Sequence, residues 1–302
     1  MASGEANIAI VTDDPGWHGQ KLKQSLIKRG YSPQFIQLQS CHFDLNGGQA
    51  RIDIPGFNRL PMAVFVRGVP GGSLEQVVYY LDVLHGLEHV GVPVFNNTRA
   101  LERSVDKGMT SFLLSSKNIA TPNSIFSSDL HYIYNKIHEY IDDQKQVVIK
   151  PIFGSQGKGV QRISSKSDYI DHSLMHGVMY VQEYIDAGED VGVDYRVFVV
   201  SGEIIASMKR IGQSWITNVA QGGKVTAVKL DAKVEQMALD AVNATGLEYS
   251  GVDLIQDKHG KFWVTEVNSV PAWKGLQQTT SINLSEVIVE KFLAFSDLPQ
   301  SM

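Results

Sequence analysis

Short β-branched runs alternate with helix-spaced apolar residues through the first part of the chain. The run at 7–11 is followed by Thr12, Asp13, Asp14, Pro15 and Gly16, so it predicts a buried strand ending in a loop. Leu22, Leu26 and Ile27 then repeat at helical spacing until Gly30 stops them. Further strands are expected at 34–38, 62–66 and 92–95. Between the last two, Leu74, Val77, Val78, Leu81, Leu84 and Leu87 form an apolar stripe on a helix over 73–87. This alternation predicts a parallel sheet covered by helices, an α/β lobe of about 95 residues.

The pattern then changes. One helix is expected over 99–116, a turn at 121–124, a short strand near 125–126 and a helix over 129–141. A strand at 146–150 runs into a glycine-rich loop. Strands dominate afterwards, at 179–184, 195–200, 203–209, 251–256 and 261–268, with hairpin turns at 200–203 and 256–260. Helices over 232–245 and 284–295 are expected to cover that later sheet. These shifts divide the chain into segments 1–96, 97–180 and 181–302, with no repeat and no linker between them.

Composition removes functions more than it adds any. Of 302 residues, 43% are hydrophobic and 20% charged, which fits a folded chain. Twenty-seven basic residues against thirty-two acidic ones leave a net charge of −5. No broad nucleic-acid surface is expected, although a local basic groove stays open. No apolar run approaches the roughly 20 residues of a membrane span, and the N-terminus lacks the features of a secretory signal. Cys41 is the single cysteine, so neither an internal disulfide nor a multi-cysteine zinc site can form. A cytoplasmic enzyme is expected, without nucleic-acid or membrane partners; homo-oligomerisation stays open.

The loop at 147–160 is the first segment with chemistry in it. Gly154, Gly157 and Gly159 permit positive φ and close approach of backbone N–H groups to an anion. Lys158 is followed by glycine and then by a strand-like run at 160–163. Walker A and Rossmann sites both need a helix there. A strand–loop–strand flap over phosphates is expected instead, with Lys150 reaching the same phosphates. A plain hairpin turn with a solvated lysine fits the same residues.

A second signal lies in two apolar strands interrupted by oxygen ligands. Glu266 and Asn268 are two residues apart, so both project from one face, and Asp253 lies on the neighbouring strand of the expected hairpin. Two carboxylates and an amide suit a hard ion such as Mg²⁺. Edge-strand charges facing water are the alternative; the flanking Val252, Leu254, Val264 and Val267 disfavour it.

Lys107, the loop at 150–160, the hinge-like segment 181–185, Asp194 with Arg196, Lys209 with Arg210, Asn218, Gly222 with Gly223 and Lys224, Gly251 to Asp253, and Glu266 to Asn268 occur in order. The ordered set resembles the ATP-grasp ligases, and within them the RimK-like group, which joins amino acids to carboxylates. It covers roughly residues 60–295. The resemblance implies an α/β chain with α+β subdomains: an ATP-grasp fold behind an N-terminal parallel-sheet lobe.

Carried over by position, Lys107 and Lys150 contact ATP phosphates while Gly154, Ser155, Gln156, Gly157 and Gly159 close over them. Gln182, Glu183, Tyr184 and Ile185 line the adenine pocket. Arg196, Lys209 and Asn218 serve the transferring phosphoryl group or acyl phosphate, and Arg210 faces the substrate. Arg67, at the carboxyl edge of the expected parallel sheet, fits a clamp on the substrate carboxylate and a surface arginine equally well. Asp253, Glu266 and Asn268 hold two Mg²⁺ ions, with Mn²⁺ as a substitute. The implied reaction passes through an acyl phosphate to an amide. Its partners are a small-molecule or peptide carboxylate and an amino acid such as glutamate.

Departures narrow the resemblance. At 216–223 the chain reads Ile-Thr-Asn-Val-Ala-Gln-Gly-Gly, where RimK-like proteins commonly show Arg-Ser-Asn-Leu-His-Arg-Gly-Gly. The missing arginines and histidine imply a different acceptor or amino-acid pocket. Segments 67–72, 99–103 and 106–110 are similar to RimK-like proteins of tetrahydromethanopterin-type cofactor biosynthesis, which implies a pterin-linked carboxylate. Two other readings stay open. A small-molecule kinase of the same fold expects a basic pocket that 216–221 does not supply. A non-catalytic nucleotide-binding regulator expects eroded metal ligands, yet Asp253, Glu266 and Asn268 are present. Trp17, His18, Trp273 and Lys274 fit either a substrate pocket or loop packing, and His85 with His89 lacks a third zinc ligand.

Overall fold

Ile8, Ala9, Ile10 and Val11 are all buried, because the strand they form is paired on both edges. The computed structural model describes residues 7–48, 50–154, 157–173, 175–188, 191–215, 217 and 223–301. In chain order its elements begin with β1 (Ile8–Val11), α1 (Gly16–Lys28), β2 (Pro33–Ile36), β3 (His42–Asp44), β4 (Arg51–Asp53), β5 (Ala63–Val66), α2 (Leu74–His89) and β6 (Val94–Phe95). Then come α3 (Thr98–Val105), α4 (Lys107–Ser116), β7 (Ser124–Ser127), α5 (Leu130–Asp142), β8 (Val147–Lys150), β9 (Gln161–Ile163) and β10 (Met179–Glu183). The chain continues through β11 (Val193–Val200), β12 (Glu203–Ile211), β13 (Lys224–Ala227) and α6 (Ala232–Thr245). It ends with β14 (Tyr249–Gln256), β15 (Phe262–Asn268), α7 (Lys274–Gln277) and α8 (Leu284–Phe295).

These elements form two units. One comprises Met1–Leu101, Leu247–Tyr249 and Ser269–Met302, the other Glu102–Gly246 and Ser250–Asn268. In the first unit the sheet order is β2-β1-β5-β6, all parallel, as the β/α alternation predicts. Strand order therefore reverses at β1. A capping box starts α2: Ser73 accepts from the Gln76 N–H, and the Gln76 side chain accepts from the Ser73 N–H.

The spacing of 284–295 does predict the helix, but it covers a different sheet from the one expected. Phe292 of α8 sits 5.4 Å from Phe65 and 5.8 Å from Phe95, both strand residues of the first unit. Glu286 is bound by Lys28, the last residue of α1, and by Arg29, which caps it. Periodicity marks an apolar face without saying which surface will meet it. Buried Asn96 ties the same unit together: its oxygen accepts from the N–H groups of Glu248 (2.8 Å) and Tyr249 (2.7 Å). Its amide nitrogen donates to Tyr249 O (2.7 Å) and Ser269 O (2.9 Å).

The second unit holds two antiparallel sheets, ordered β7-β10-β8-β9 and β13-β12-β11-β14-β15. Helix α5 covers the first, with Ile133 and Ile137 packed on Val147, Ile149 and Val181. Helix α6 covers the second. Ser201 (φ 47°) and Gly202 (φ 73°) make the β11–β12 connection a tight turn of the kind that matches strand twist.

The single helix expected over 99–116 is broken. Asp106 is extended (φ −88°, ψ 104°) and its carboxylate accepts the Met109 N–H at 3.0 Å, so it caps a new helix beginning at Lys107. Asp106→Ala is expected to lower unfolding stability by about 1 kcal/mol, read from urea unfolding. An unchanged midpoint would remove the cap from the account. The pattern also missed the short β3–β4 hairpin, edge strand β13 and helix α7. Among the described residues no helix is long and apolar enough to cross a membrane.

Candidate active site

Alternation along β8 and β10 gives the first sheet of the second unit an apolar face and a polar one. Tyr180 pairs across from Lys150, and Gln182 from Ser124, which puts all four on the face away from α5. Lys150 Nζ donates to the Gln182 side-chain oxygen at 2.8 Å. The Gln182 amide donates to Tyr180 Oη (2.8 Å) and Ser124 Oγ (3.2 Å), and Tyr180 Oη also meets Ser111 Oγ at 2.7 Å. The chain past β10 is fixed by backbone bonds, from Glu183 N to Asn123 O and from Tyr184 N to Gln146 O. Glu183 also accepts from Asn123 and pairs with Lys145, while the Arg162 guanidinium lies 3.9 Å above the Tyr184 ring.

The second sheet supplies the carboxylates. Asp253 pairs directly across from Glu266 and Gly251 across from Asn268, so the three expected metal ligands share one face. A bulge after Asp253 leaves Thr265 as the extra residue of β15, and it returns the Val264 and Leu254 side chains to the core. Arg196 forks Asp253 with bonds of 2.7 and 2.6 Å. Arg210 Nη2 reaches the same carboxylate at 3.0 Å and binds Asp194 at 2.7 Å. Thr217 donates to Asp194, and the Asn268 amide nitrogen faces Gly251 O (3.3 Å) and Asp253 (3.4 Å). Lys107, the first residue of α4, donates to Gly154 O (2.9 Å) and Ile152 O (3.3 Å) and stands 4.0 Å from Glu266.

Electrostatics follow from this crowding. Burial works against the Asp253 charge, but Arg196 and Arg210 outweigh it and hold its pKa at about 2. For Asp194 burial wins, and its pKa is raised despite Arg210. Burial also opposes the Arg210 charge, but Asp253 and Asp194 together keep it firmly protonated. Burial lowers the pKa of Lys150 and Lys107 adds to the effect, while Glu266 and Asp253 oppose it. The site therefore holds cations whose repulsion an added polyanion would relieve.

Not every residue singled out from sequence joins this cluster. In the β11–β12 register Arg196 pairs with Met208, while Lys209 pairs with Tyr195. Lys209 thus lies on the opposite sheet face from Arg196, Asp253 and Arg210, with Nζ 6.0 Å from the Tyr195 ring. Arg210 is bound to acidic side chains where substrate contact was expected. Arg67 belongs to the first unit, where it donates to Val270 O. Ser155, Gln156 and Asn218 lie outside the described residues. Gly157 and Gly159 both have φ 71°, which explains glycine there. Sequence reasoning missed the hydroxyls of Tyr180, Ser111 and Ser124; their only signal was polarity within otherwise apolar segments.

Among the described residues no group of three or more His, Cys, Asp or Glu side chains forms a metal site. The donor set is instead two carboxylates and an amide on one sheet face, hard oxygen donors beside two lysines. That set fits Mg²⁺ completed by phosphate and water oxygens.

The chain combines an α/β lobe with two antiparallel sheets whose polar faces carry cations and carboxylates. The RimK-like ATP-grasp domain model matches residues 104–292, more than half of the chain, and the chain belongs to that family. It is 29% identical over 298 residues to the tetrahydromethanopterin:alpha-L-glutamate ligase of Methanococcus maripaludis, covering 96% of this chain and 98% of that one. The ligase of the same name from Methanocaldococcus jannaschii is 35% identical over 239 residues, covering 76% and 79%. Among solved structures, the ATP-grasp ligase PsnB complexed with a minimal precursor superposes with a TM-score of 0.75 at 19% identity, covering 96% of this chain and 99% of that one. The ATP-grasp fold expected from the motif order is therefore present.

Proposed function

We propose that the chain is an ATP- and Mg²⁺-dependent, ADP-forming carbon–nitrogen ligase that adds glutamate to the carboxylate of a small, pterin-linked molecule. The observation that carries this reading is the cross-strand pair of Asp253 and Glu266, flanked by Lys107 and Lys150. The names of the two archaeal relatives support the glutamate and pterin assignments.

Asp253, Glu266 and Asn268 hold the divalent ion, Mg²⁺ or in its place Mn²⁺. When bound, it neutralises phosphate charge and so lets an anionic carboxylate approach. Lys107 and Lys150 bind phosphate oxygens, and the Gly154–Gly159 loop, Ser155 and Gln156 included, covers them. Glu183 and Tyr184 spend their N–H groups internally, so Ile185 offers the hinge backbone to adenine, beside the Gln182 side chain. Arg196 stabilises the transferring phosphoryl group, with Asn218 beside it, and Arg210 positions Asp253. Lys209 has no role in this scheme. The acceptor carboxylate takes the γ-phosphoryl group, ADP leaves, and the glutamate amine then displaces phosphate to form the amide. In this scheme segment 1–96 serves the acceptor, 97–180 carries the flap and 181–302 carries the metal ligands. A cytoplasmic setting is part of the proposal, supported by the buried free thiol of Cys41.

Incubation with ATP, Mg²⁺, glutamate and a pool of carboxylic acids, pterin-linked ones included, should give ADP, phosphate and an amide in equal amounts. A phosphorylated end product, or no ADP with any acid, would sink the proposal.

A further inference from the structure

In the first unit, segment 269–274 is held almost entirely by side chains. Val270 O accepts from Arg67 at 3.3 Å and Pro271 O from the Tyr249 hydroxyl at 3.3 Å. The N–H groups of Trp273 and Lys274 both donate to His18 Nε2 at 3.1 Å. His18 can accept them only as a neutral ring, and burial, with Arg67 and Lys274 nearby, holds its pKa at about 4. The rings of Trp17, His18 and Trp273 meet edge-on at 4.8 to 5.1 Å.

Two groups in this cluster are unfinished. Arg67 Nε and Trp273 Nε1 are buried and have no hydrogen-bond partner among the described residues. Both can donate and neither can accept, so only an added acceptor satisfies them. Their place in the fold is also informative. Arg67 follows β5 while Trp17 and His18 follow β1, the two strands between which the sheet order reverses. Open parallel sheets bind ligands at that point, beyond the carboxyl ends of the strands.

We infer that the first unit contains a binding site for an organic carboxylate with a flat, unsaturated body. Arg67 and exposed Lys274 take the carboxylate, half-buried Trp17 packs on the ring, and His18 is the neutral pin that holds the Trp273–Lys274 backbone in place. The site deepens the ligase reading and rests on it only for the use made of the bound acid.

The test is titration of the full chain with benzoate, without nucleotide, followed by tryptophan fluorescence. A saturable change is expected, at least about ten-fold weaker in Arg67→Gln and clearly weaker in Lys274→Gln, whose exposed position leaves the fold intact. Trp17→Leu should weaken benzoate more than acetate. No saturable response, or a benzoate affinity that neither charge variant changes, would overturn the site. Because nucleotide is absent, that failure leaves the ligase assay untouched. Conversely, saturable binding beside a failed ligase assay supports the site on its own.

Discussion

Glu266→Gln is expected to lower kcat by about a hundred- to a thousand-fold while leaving the thermal transition in place. The substitution keeps the side-chain shape and removes one charge. Glu266 is the cross-strand partner of Asp253 and stands 4.0 Å from Lys107. Its charge also opposes the burial that lowers the Lys150 pKa. Losing it removes a hard oxygen ligand and leaves two lysines less well balanced, so phosphate binding alone would survive better than transfer. The side chain is 34% exposed, so the fold depends on it little. ADP release under saturating ATP and glutamate reads the effect. Near-normal turnover would remove Glu266 from the metal set.

Arg210→Met should cost about 3 to 5 kcal/mol of stability at neutral pH, because breaking a buried pair leaves its partners charged and unsolvated. The side chains of Arg210, Asp194 and Asp253 are each about 8% exposed, and Arg210 bonds both acids. The pH dependence identifies the cause. Asp253, with its pKa depressed to about 2, contributes stability that is present above its unfolded pKa of about 3.9. That contribution is lost as pH falls through about 2. Asp194, whose pKa is raised by burial, acts oppositely and costs stability as pH rises through the carboxylate range. Without Arg210 both values move up, so the deficit should be largest near neutrality and narrow toward about pH 5. Urea unfolding at the two pH values measures it. A deficit that is the same at both would reject the charge explanation.

Much of the fold was legible because local rules produce it. Helix α6 was predicted at its observed bounds, where Val234, Ala238, Ala241 and Val242 are buried at helical spacing and Gly246 caps the end with φ 80°, and β15 was predicted within one residue. The break at Asp106 was readable in principle, since an aspartate three residues before an amide donor is a cap signal, but continuous apolar spacing on both sides hid it. The short edge strand β13 and the β3–β4 hairpin carry too few apolar residues to announce themselves.

The sequence by itself determined the strand and helix faces, glycine at positions 157 and 159 where φ is positive, and that Glu266 and Asn268 share a side. Those properties depend on periods of two and 3.6 residues and on single-residue backbone freedom, which act over a few positions. Tertiary structure alone decided that α8 packs on the first sheet and that Arg210 is bound by two buried acids. It alone set Lys209 opposite Arg196 and left Arg67 Nε, beside a neutral histidine, without a partner among the described residues. Each of those outcomes depends on strand register and on contacts between residues far apart in the chain, and no local pattern specifies which distant partner will be met.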